Sequence, residues 1–178
     1  YLHAHKLMRK HWQDMPEVGD IGGDKWQQVT EHVNDNYFFI DMDKYNLEAV
    51  LRKGAELVKR KGIKCLVLDP FNKIRDTNAN SDDVNRYTMD YLQKIETFCK
   101  KYDVLTFIVA HPTKMYKGQD GKIEEPTMYN IKGGGEWYDA SYHGLLVHRD
   151  YEAKTTKVKV LKVKFQNLGE NGAEAHFT

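Results

Sequence analysis

The sequence predicts an α/β fold with a parallel core sheet flanked by helices, and with C-terminal strands that are partly antiparallel. Two nearly continuous apolar runs, CLVL at 65–68 and VLTFIVA at 104–110, have the length and composition of buried parallel strands. An amphipathic helical pattern precedes each run. This helix–strand–helix–strand order is typical of a parallel sheet covered on both faces.

The remaining elements follow from periodicity and capping signals. The segment YFFIDM predicts a strand at 37–42, and the segment 24–33 predicts a short helix with Asp24 as its N-cap. A helix at 46–62 is expected to stop near Gly62. The other expected elements share clear hydrophobic periodicity: helices at 1–13 and 81–103 (N-cap Ser81 or Asp82), and strands at 143–149, 157–165 and 172–178.

The composition indicates one domain and excludes several classes. The 178 residues carry a net charge of only +1 and two cysteines, so a nucleic-acid role requires a local basic patch. Cys65 and Cys99 form no zinc or disulfide pattern, and we expect both to be reduced core thiols. The apolar runs are far too short to span a membrane.

Two polar residues follow the predicted core strands, Asp69 after the first and His111 after the second. Ligands of open parallel sheets bind beyond the carboxyl ends of the strands, so both residues are expected at one site. An aspartate there suits Mg²⁺ and nucleotide phosphates, and a neutral histidine can sense a terminal phosphate. The alternatives are a turn aspartate and a histidine bonded to the backbone.

Residues 112–142 show little periodicity and are rich in glycine, which predicts a long functional loop. Lys114, Lys117 and Lys132 suit contact with a phosphate backbone, and the alternative is a solvated loop. Tyr116, Tyr129 and Trp137 in this loop are candidates to stack on bases, and the alternative is that such aromatic residues anchor the loop to the domain, the role that we favour for Trp137.

The C-terminal pair Lys162 and Lys164 lies two residues apart on a predicted strand, so both side chains can project from one face. Such cations can reach a nucleotide bound to a neighbouring subunit. Lysines that guard an exposed edge strand are an equally good explanation.

Four segments in order make the pattern more specific: LVLDPFN, IVAHPTK, EPTMYNIKGGGEWYDASYHGLLVHR and LKVKFQNLGENGAEAHF. Over roughly residues 40–178 this combination resembles the C-terminal helicase domain of Twinkle-type primase-helicases, relatives of phage primase-helicases and bacterial DnaB. The resemblance implies a RecA-like core, a homo-oligomeric ring that is usually a hexamer, ATP or another nucleoside triphosphate with Mg²⁺ between subunits, and loops that hold single-stranded DNA.

Carried over by position, the resemblance implies roles for individual residues. Asp69 resembles the Walker B aspartate that supports Mg²⁺, and His111 resembles the phosphate-sensing residue at the head of a DNA-binding loop. Lys114 and Lys117 would lie in that loop, and KGGGEWYD with Lys132 would line the channel. Asn72 and Arg149 are further candidates for nucleotide contact. Lys162 and Lys164 resemble a K-x-R pair whose arginine completes the neighbouring ATP site.

Two departures from the family pattern stand out. Lys164 occupies the finger position in place of arginine, and the two side chains are not equivalent for bidentate phosphate contact. The chain also contains no GxxxxGK[ST] motif. We therefore expect this chain to be the distal part of a DNA helicase ATPase domain. The chain alone should be inactive, whereas the parent protein should be an active enzyme. We expect the parent protein in the cytoplasm of a bacterial or phage-infected cell, and an organelle is the alternative.

Two alternatives stay open at this point. One is another RecA-like DNA-dependent ATPase of the recombinase or plasmid-replication type. The other is a non-catalytic module for nucleic-acid binding or ring assembly, which the missing GxxxxGK[ST] favours.

Overall fold

The computed structural model describes residues 23–74, 84–115, 125–151 and 153–177. The chain divides into two compact units, Tyr1–Asp43 and Lys44–Thr178, and each is described by itself. The single-domain organisation stays a prediction. The helix predicted at 1–13 and the caps predicted at Ser81 or Asp82 lie outside the described residues.

The described part of the first unit consists of helix α1 (Gly23–Asn36) and an extended segment. Because the helix begins at Gly23, Asp24 lies in its first turn, and its prediction as N-cap is wrong. The strand predicted at 37–42 is also wrong, since these residues belong to neither described sheet. β propensity reflects packing against neighbouring strands, and Phe39 is 89% exposed.

The second unit begins with α2 (Leu47–Lys61), and the predicted bounds of this helix are confirmed. The Asn46 side chain accepts a hydrogen bond from the Ala49 backbone N–H at 2.8 Å. At the other end Gly62 adopts a left-handed conformation and its N–H donates to the Val58 carbonyl. Local capping chemistry therefore sets both ends.

Strands β1 (Cys65–Leu68) and β2 (Leu105–Ile108) pair in parallel, as predicted, with Leu68 opposite Ile108. Helix α3 (Val84–Tyr102) connects them. Leu66 and Leu68 are buried on the face that packs against the helices. The glycine at position 54 of α2 permits a close approach, because a Cβ there would lie 3.1 Å from the Phe98 ring of α3.

The other face of the β1–β2 pair is open among the residues that the structure describes, so the prediction of two covered faces is wrong for them. Val67, Leu105 and Phe107 are about half exposed. Cys65 is exposed on the same face, which corrects its prediction as a core thiol. A continuous apolar run predicts that both faces of a strand are covered, but it does not say which segment of the protein covers the second face.

Residues 112–142 contain more regular structure than predicted. A 3₁₀ turn forms at Met128–Asn130, and helix α4 spans Gly134–Ala140. Trp137 of α4 is buried, so its predicted role as an anchor is confirmed. The three consecutive glycines at its start have low helix propensity, so the sequence does not indicate this helix. Tertiary packing stabilises it despite that low propensity.

The C-terminal strands are confirmed as β3 (His143–Asp150), β4 (Thr155–Val163) and β5 (Glu174–Phe177). They form an antiparallel sheet in the order β3-β4-β5. The predicted α/β class, with a parallel pair and antiparallel C-terminal strands, is therefore confirmed. None of the helices in the described ranges has the length and apolar character needed to cross a membrane.

Candidate functional site

Asp69 and His111 lie at the same edge of the parallel pair, which we call the carboxyl edge (residues 69–72 and 109–111). The Val109 N–H donates to the Leu68 carbonyl at 2.9 Å, and the Phe71 N–H donates to the Val109 carbonyl at 2.9 Å. Asp69 is therefore level with Val109, and His111 lies two residues farther along. Both side chains are exposed to solvent. The structure thus brings these two predicted residues to one open edge.

Phe71 fixes the backbone just after Asp69. Its buried ring meets Tyr91 of α3 edge-on at 4.8 Å between centroids, and Trp137 of α4 edge-on at 4.9 Å. Such geometry is favourable for aromatic pairs. Burial also raises the pKa of Tyr91 above its ordinary value. The carboxyl edge is thereby tied to two helices, while Asn72 in the following 3₁₀ turn stays exposed.

The side chains at this edge suit a magnesium ion whose other ligands come mainly from nucleotide phosphates. Within the described ranges no three His, Cys, Asp or Glu side chains gather into a metal cluster. Mg²⁺ in nucleotide sites commonly uses one or two carboxylates together with water and substrate phosphates. A single exposed carboxylate at Asp69 fits that role and does not fit a metal cage built by protein alone.

The segment that follows His111 pairs with a second segment near residue 131, close to the candidate DNA-binding lysines. Pro112 and Ile131 form an isolated antiparallel bridge. The Thr113 N–H and hydroxyl both donate to the Asn130 carbonyl, at 2.7 and 2.9 Å. These contacts bring two segments together, one that carries His111 and Lys114 and one that carries Tyr129 and Lys132.

Of the predicted DNA-binding residues, Lys114 and Lys132 are exposed beside this bridge. Lys117 lies outside the described residues. The structure therefore brings two of the three lysines to the vicinity of the carboxyl edge. Their contact with DNA stays a prediction.

An ion-pair cluster that sequence reasoning missed holds Glu125. Its carboxylate contacts Lys157 and Lys159 of β4, with 2.6 Å to the Lys159 Nζ, and Lys159 also lies 3.2 Å from Glu174 of β5. Hydrogen bonds from Lys157 and Lys159 lower the pKa of Glu125. Alternation of Lys157 and Lys159 on one strand is the signal that could have indicated an acidic partner.

Lys162 is buried and its ammonium is engaged within the chain. It donates to the Tyr138 carbonyl at the end of α4, and Nζ lies 4.5 Å from the centroid of the Tyr138 ring. Burial, with a smaller contribution from Lys164, lowers the pKa of Lys162. A cation at a helix C-terminus is favourable, so Lys162 stabilises α4. Sequence reasoning missed this capping role.

Lys164 is exposed just beyond β4, with Nζ 4.3 Å from the centroid of the Tyr142 ring. Arg149 lies at the other end of the β3–β4 ladder, where its guanidinium donates to the Thr156 hydroxyl at 2.9 Å. The structure therefore does not bring Arg149 to Lys164. The nucleotide roles of Lys162, Lys164 and Arg149 stay predictions.

The fold agrees with solved helicase ATPase domains. Two of the solved structures that match this chain share 13% sequence identity with it. One is an ATPase domain (TM-score 0.62; 89% of this chain and 57% of that chain), and the other is a DnaB-like replicative helicase studied with primase (TM-score 0.65; 92% and 40%). This chain has the fold of such domains, and the predicted resemblance is confirmed.

Sequence comparison points the same way. The chain is 26% identical, over 185 aligned positions, to the Twinkle homolog protein, chloroplastic/mitochondrial, of Arabidopsis thaliana. The match covers 96% of this chain and 26% of that protein, so the chain spans about a quarter of the length of this relative. No protein-family profile matches the sequence.

Proposed function

We propose that this chain, which has the fold of DnaB-like helicase ATPase domains, is the distal part of an ATP-dependent replicative DNA helicase. The complete protein would form a homo-oligomeric ring, a hexamer in the family pattern, and translocate on single-stranded DNA. The observation that carries the proposal is the carboxyl edge itself. Asp69 and His111 share it, and the Pro112–Ile131 bridge leads from it directly to Lys114 and Lys132.

In this proposal Asp69 holds the Mg²⁺ of a bound nucleotide through its exposed carboxylate. The ion, when bound, neutralises charge on the phosphates during transfer. Asn72 is placed to add a contact to the nucleotide from the same edge. His111 would donate a hydrogen bond to the terminal phosphate. When that phosphate leaves after hydrolysis, His111 would lose this contact, and the segment that begins at Pro112 and Thr113 could then move.

The released segment is the proposed link to DNA. Lys114, Lys117 and Lys132 contribute positive charge for the phosphates of one strand. The hydrogen bonds between Thr113 and Asn130 make the two lysine-bearing segments move as one. A change at His111 would therefore reach both sides of the DNA contact.

Lys164 is the proposed cation for the nucleotide of a neighbouring subunit. Its exposure supports this role, whereas the engagement of Lys162 with the Tyr138 carbonyl favours a supporting role for that residue. Arg149, bonded to Thr156, is the weaker candidate for the same contact. Lysine delivers a point charge in place of the bidentate contact of arginine.

The proposal treats the complete protein as the enzyme and this chain alone as inactive, because the sequence contains no GxxxxGK[ST] to cradle the phosphates. A cytoplasmic location in a bacterial or phage-infected cell stays a prediction. The Arabidopsis relative is named for chloroplasts and mitochondria, which keeps an organelle as the alternative.

The test is ATP hydrolysis by the complete protein, measured with and without single-stranded DNA. We expect DNA to stimulate hydrolysis, and Asp69→Asn to abolish it without changing the circular dichroism spectrum. The matched control is Asp103→Asn, because Asp103 is another exposed aspartate, just before β2 at the opposite edge of the parallel pair. This control should leave hydrolysis unchanged.

Two results would contradict the proposal. Full activity in Asp69→Asn would remove Asp69 from the metal role. No hydrolysis by the wild-type protein, with retained binding of DNA, would favour the non-catalytic binding or assembly module.

A further inference from the structure

Tyr129 presents an aromatic ring to solvent beside the Pro112–Ile131 bridge. Its side chain is 60% exposed, and its ring stacks on that of Tyr138 with 5.1 Å between centroids and 19° between planes. We call this pair the Tyr129–Tyr138 stack. Trp137, the neighbouring aromatic residue that anchors α4, is by contrast only 3% exposed. A ring that served only as an anchor would be expected to be similarly buried.

The backbone beneath Tyr129 is held from several directions. Thr127 and Asn130 close a reciprocal capping box around the 3₁₀ turn that carries it. The start of α4 lies against the same turn, since a Cβ at Gly134 would come within 2.3 Å of the Tyr129 carbonyl oxygen. The position of the stack is therefore set before any ligand arrives.

Tyr138 is held in turn by Lys162. The ammonium of Lys162 lies 4.5 Å from the centroid of the Tyr138 ring and donates to the Tyr138 carbonyl. The fixed Tyr138 ring supports the outer ring of Tyr129. When a flat group binds, the Tyr129 side chain would therefore lose little conformational entropy.

The surroundings of the stack indicate what that flat group is. The hydrogen bonds from Thr113 to the Asn130 carbonyl join the chain neighbours of Lys114 and Tyr129, and Lys132 follows Tyr129 by three residues, so an exposed aromatic ring lies near cations in the chain. Single-stranded nucleic-acid sites combine these two features, with cations on the phosphates and aromatic rings on the bases.

We propose that Tyr129 is a base-stacking residue for single-stranded DNA, supported by Tyr138. This inference rests on the proposed function and adds a contact to bases, which the lysines do not make. Stacking accepts any base because each has a π face, so the contact contributes affinity without sequence preference. It suits a motor that moves along one strand.

The experiment compares two fluorescein-labelled oligonucleotides of equal length, oligo(dT) and a fully abasic strand with the same phosphates. The 178-residue chain is titrated against both as wild type, Tyr129→Leu and Tyr129→Phe. The control is Tyr151→Leu, because Tyr151 is an even more exposed tyrosine at the β3–β4 turn. Circular dichroism confirms that each variant is folded.

We expect wild type to prefer oligo(dT) over the abasic strand by about 5- to 150-fold, the range that stacking of one base contributes. Tyr129→Leu should remove this preference and leave affinity for the abasic strand unchanged. Tyr129→Phe and Tyr151→Leu should retain it. An unchanged preference in Tyr129→Leu would overturn the stacking role while leaving the lysine contact in place.

Binding of neither oligonucleotide by wild type would overturn the stacking role together with the DNA contact of the proposed function. Absence of ATP hydrolysis in the complete protein, with the preference for oligo(dT) retained here, would overturn the helicase proposal and leave the stacking role in place. A second measurement needs no variant. Binding of wild-type protein should change the emission of an oligonucleotide that contains 2-aminopurine, with quenching as the base stacks, and unchanged emission on saturation would overturn the inference.

Discussion

Gly133 has two independent reasons to be glycine. Its φ of +84° lies in the left-handed region, which residues with a Cβ rarely adopt. A Cβ at this position would also lie 2.5 Å from the hydroxyl oxygen of Thr88, a fully buried residue of α3. The beginning of α4 is therefore pressed against α3 at a point where no side chain fits.

We predict that Gly133→Ala lowers the free energy of unfolding more than Gly172→Ala does. Gly172 has a similar φ of +86°, but a Cβ placed there would have no atom within 4 Å, so it reports backbone strain alone. That strain costs about 1–2 kcal/mol, and the overlap with Thr88 should add about 1–3 kcal/mol. Urea unfolding of the two variants measures the difference. Equal losses would mean that Thr88 moves aside freely.

The position of a single residue could be predicted from the sequence where one local property determines it. Asp69 directly follows an apolar run, so its position at the end of β1 needed no tertiary information. Trp137 was expected to anchor its loop, because aromatic side chains in loops more often pack against the domain than stack on bases. The capping role of Lys162 could not be foreseen, since its partner, the Tyr138 carbonyl, lies 24 residues away in the chain.

Among the elements, β4 and β5 present a charged face that holds Glu125. The contacts to Lys157 and Lys159 join residues more than 30 positions apart, and Glu174 closes the cluster from β5. Each of these side chains is about one quarter to one third exposed, so salt screens the pairs only in part. The cluster therefore fixes Glu125 to the sheet.

We predict that Glu125→Gln lowers the thermal midpoint at neutral pH, and that the difference from wild type disappears in acid. Hydrogen bonds from Lys157 and Lys159 hold the folded-state pKa of Glu125 below 4.5. The carboxylate therefore contributes stability above the unfolded pKa, and this contribution is lost as the pH falls through the folded value.

The control for this experiment is Glu170→Gln, an exposed glutamate in the connection between β4 and β5. Its midpoint should follow wild type at every pH. A constant deficit for Glu125→Gln from neutral to acid pH would show that packing, rather than charge, accounts for its effect.

Elements with local signals were predictable, and those that depend on distant partners were not. Helix α2 was predicted with its ends because Asn46 and Gly62 cap it by local hydrogen bonds. Helix α4 was missed because its stability comes from the packing of Trp137 against Phe71, which outweighs a glycine-rich start. The segment 37–42 has strand-forming residues, but strand formation depends on pairing that the local sequence does not encode.

At the scale of the whole molecule, the buried core of the described residues is concentrated in the second unit. Apart from Val29, the buried hydrophobic side chains of the described ranges lie between Leu47 and Trp137. The first 43 residues form a separate compact unit. This distribution bears directly on the single-domain prediction.

We predict that a fragment of residues 44–178 unfolds cooperatively at the midpoint of the full chain, because it contains nearly all of this core. A control fragment of residues 1–172 lacks β5 and should melt earlier, since β4 loses a hydrogen-bonded neighbour. Differential scanning calorimetry measures both midpoints. A lower midpoint for residues 44–178 would mean that the whole chain is one cooperative domain.

The contact between Phe71 and Trp137 also has a spectroscopic consequence. Trp137 is buried against a ring two residues from Asp69, whereas Trp26 is 38% exposed. With Trp12 and Trp26 replaced by Phe, the remaining indole would emit at short wavelength from an apolar environment. Its emission would then shift whenever Phe71 moves. The chain therefore carries its own fluorescent reporter of events at the carboxyl edge, with no external dye required.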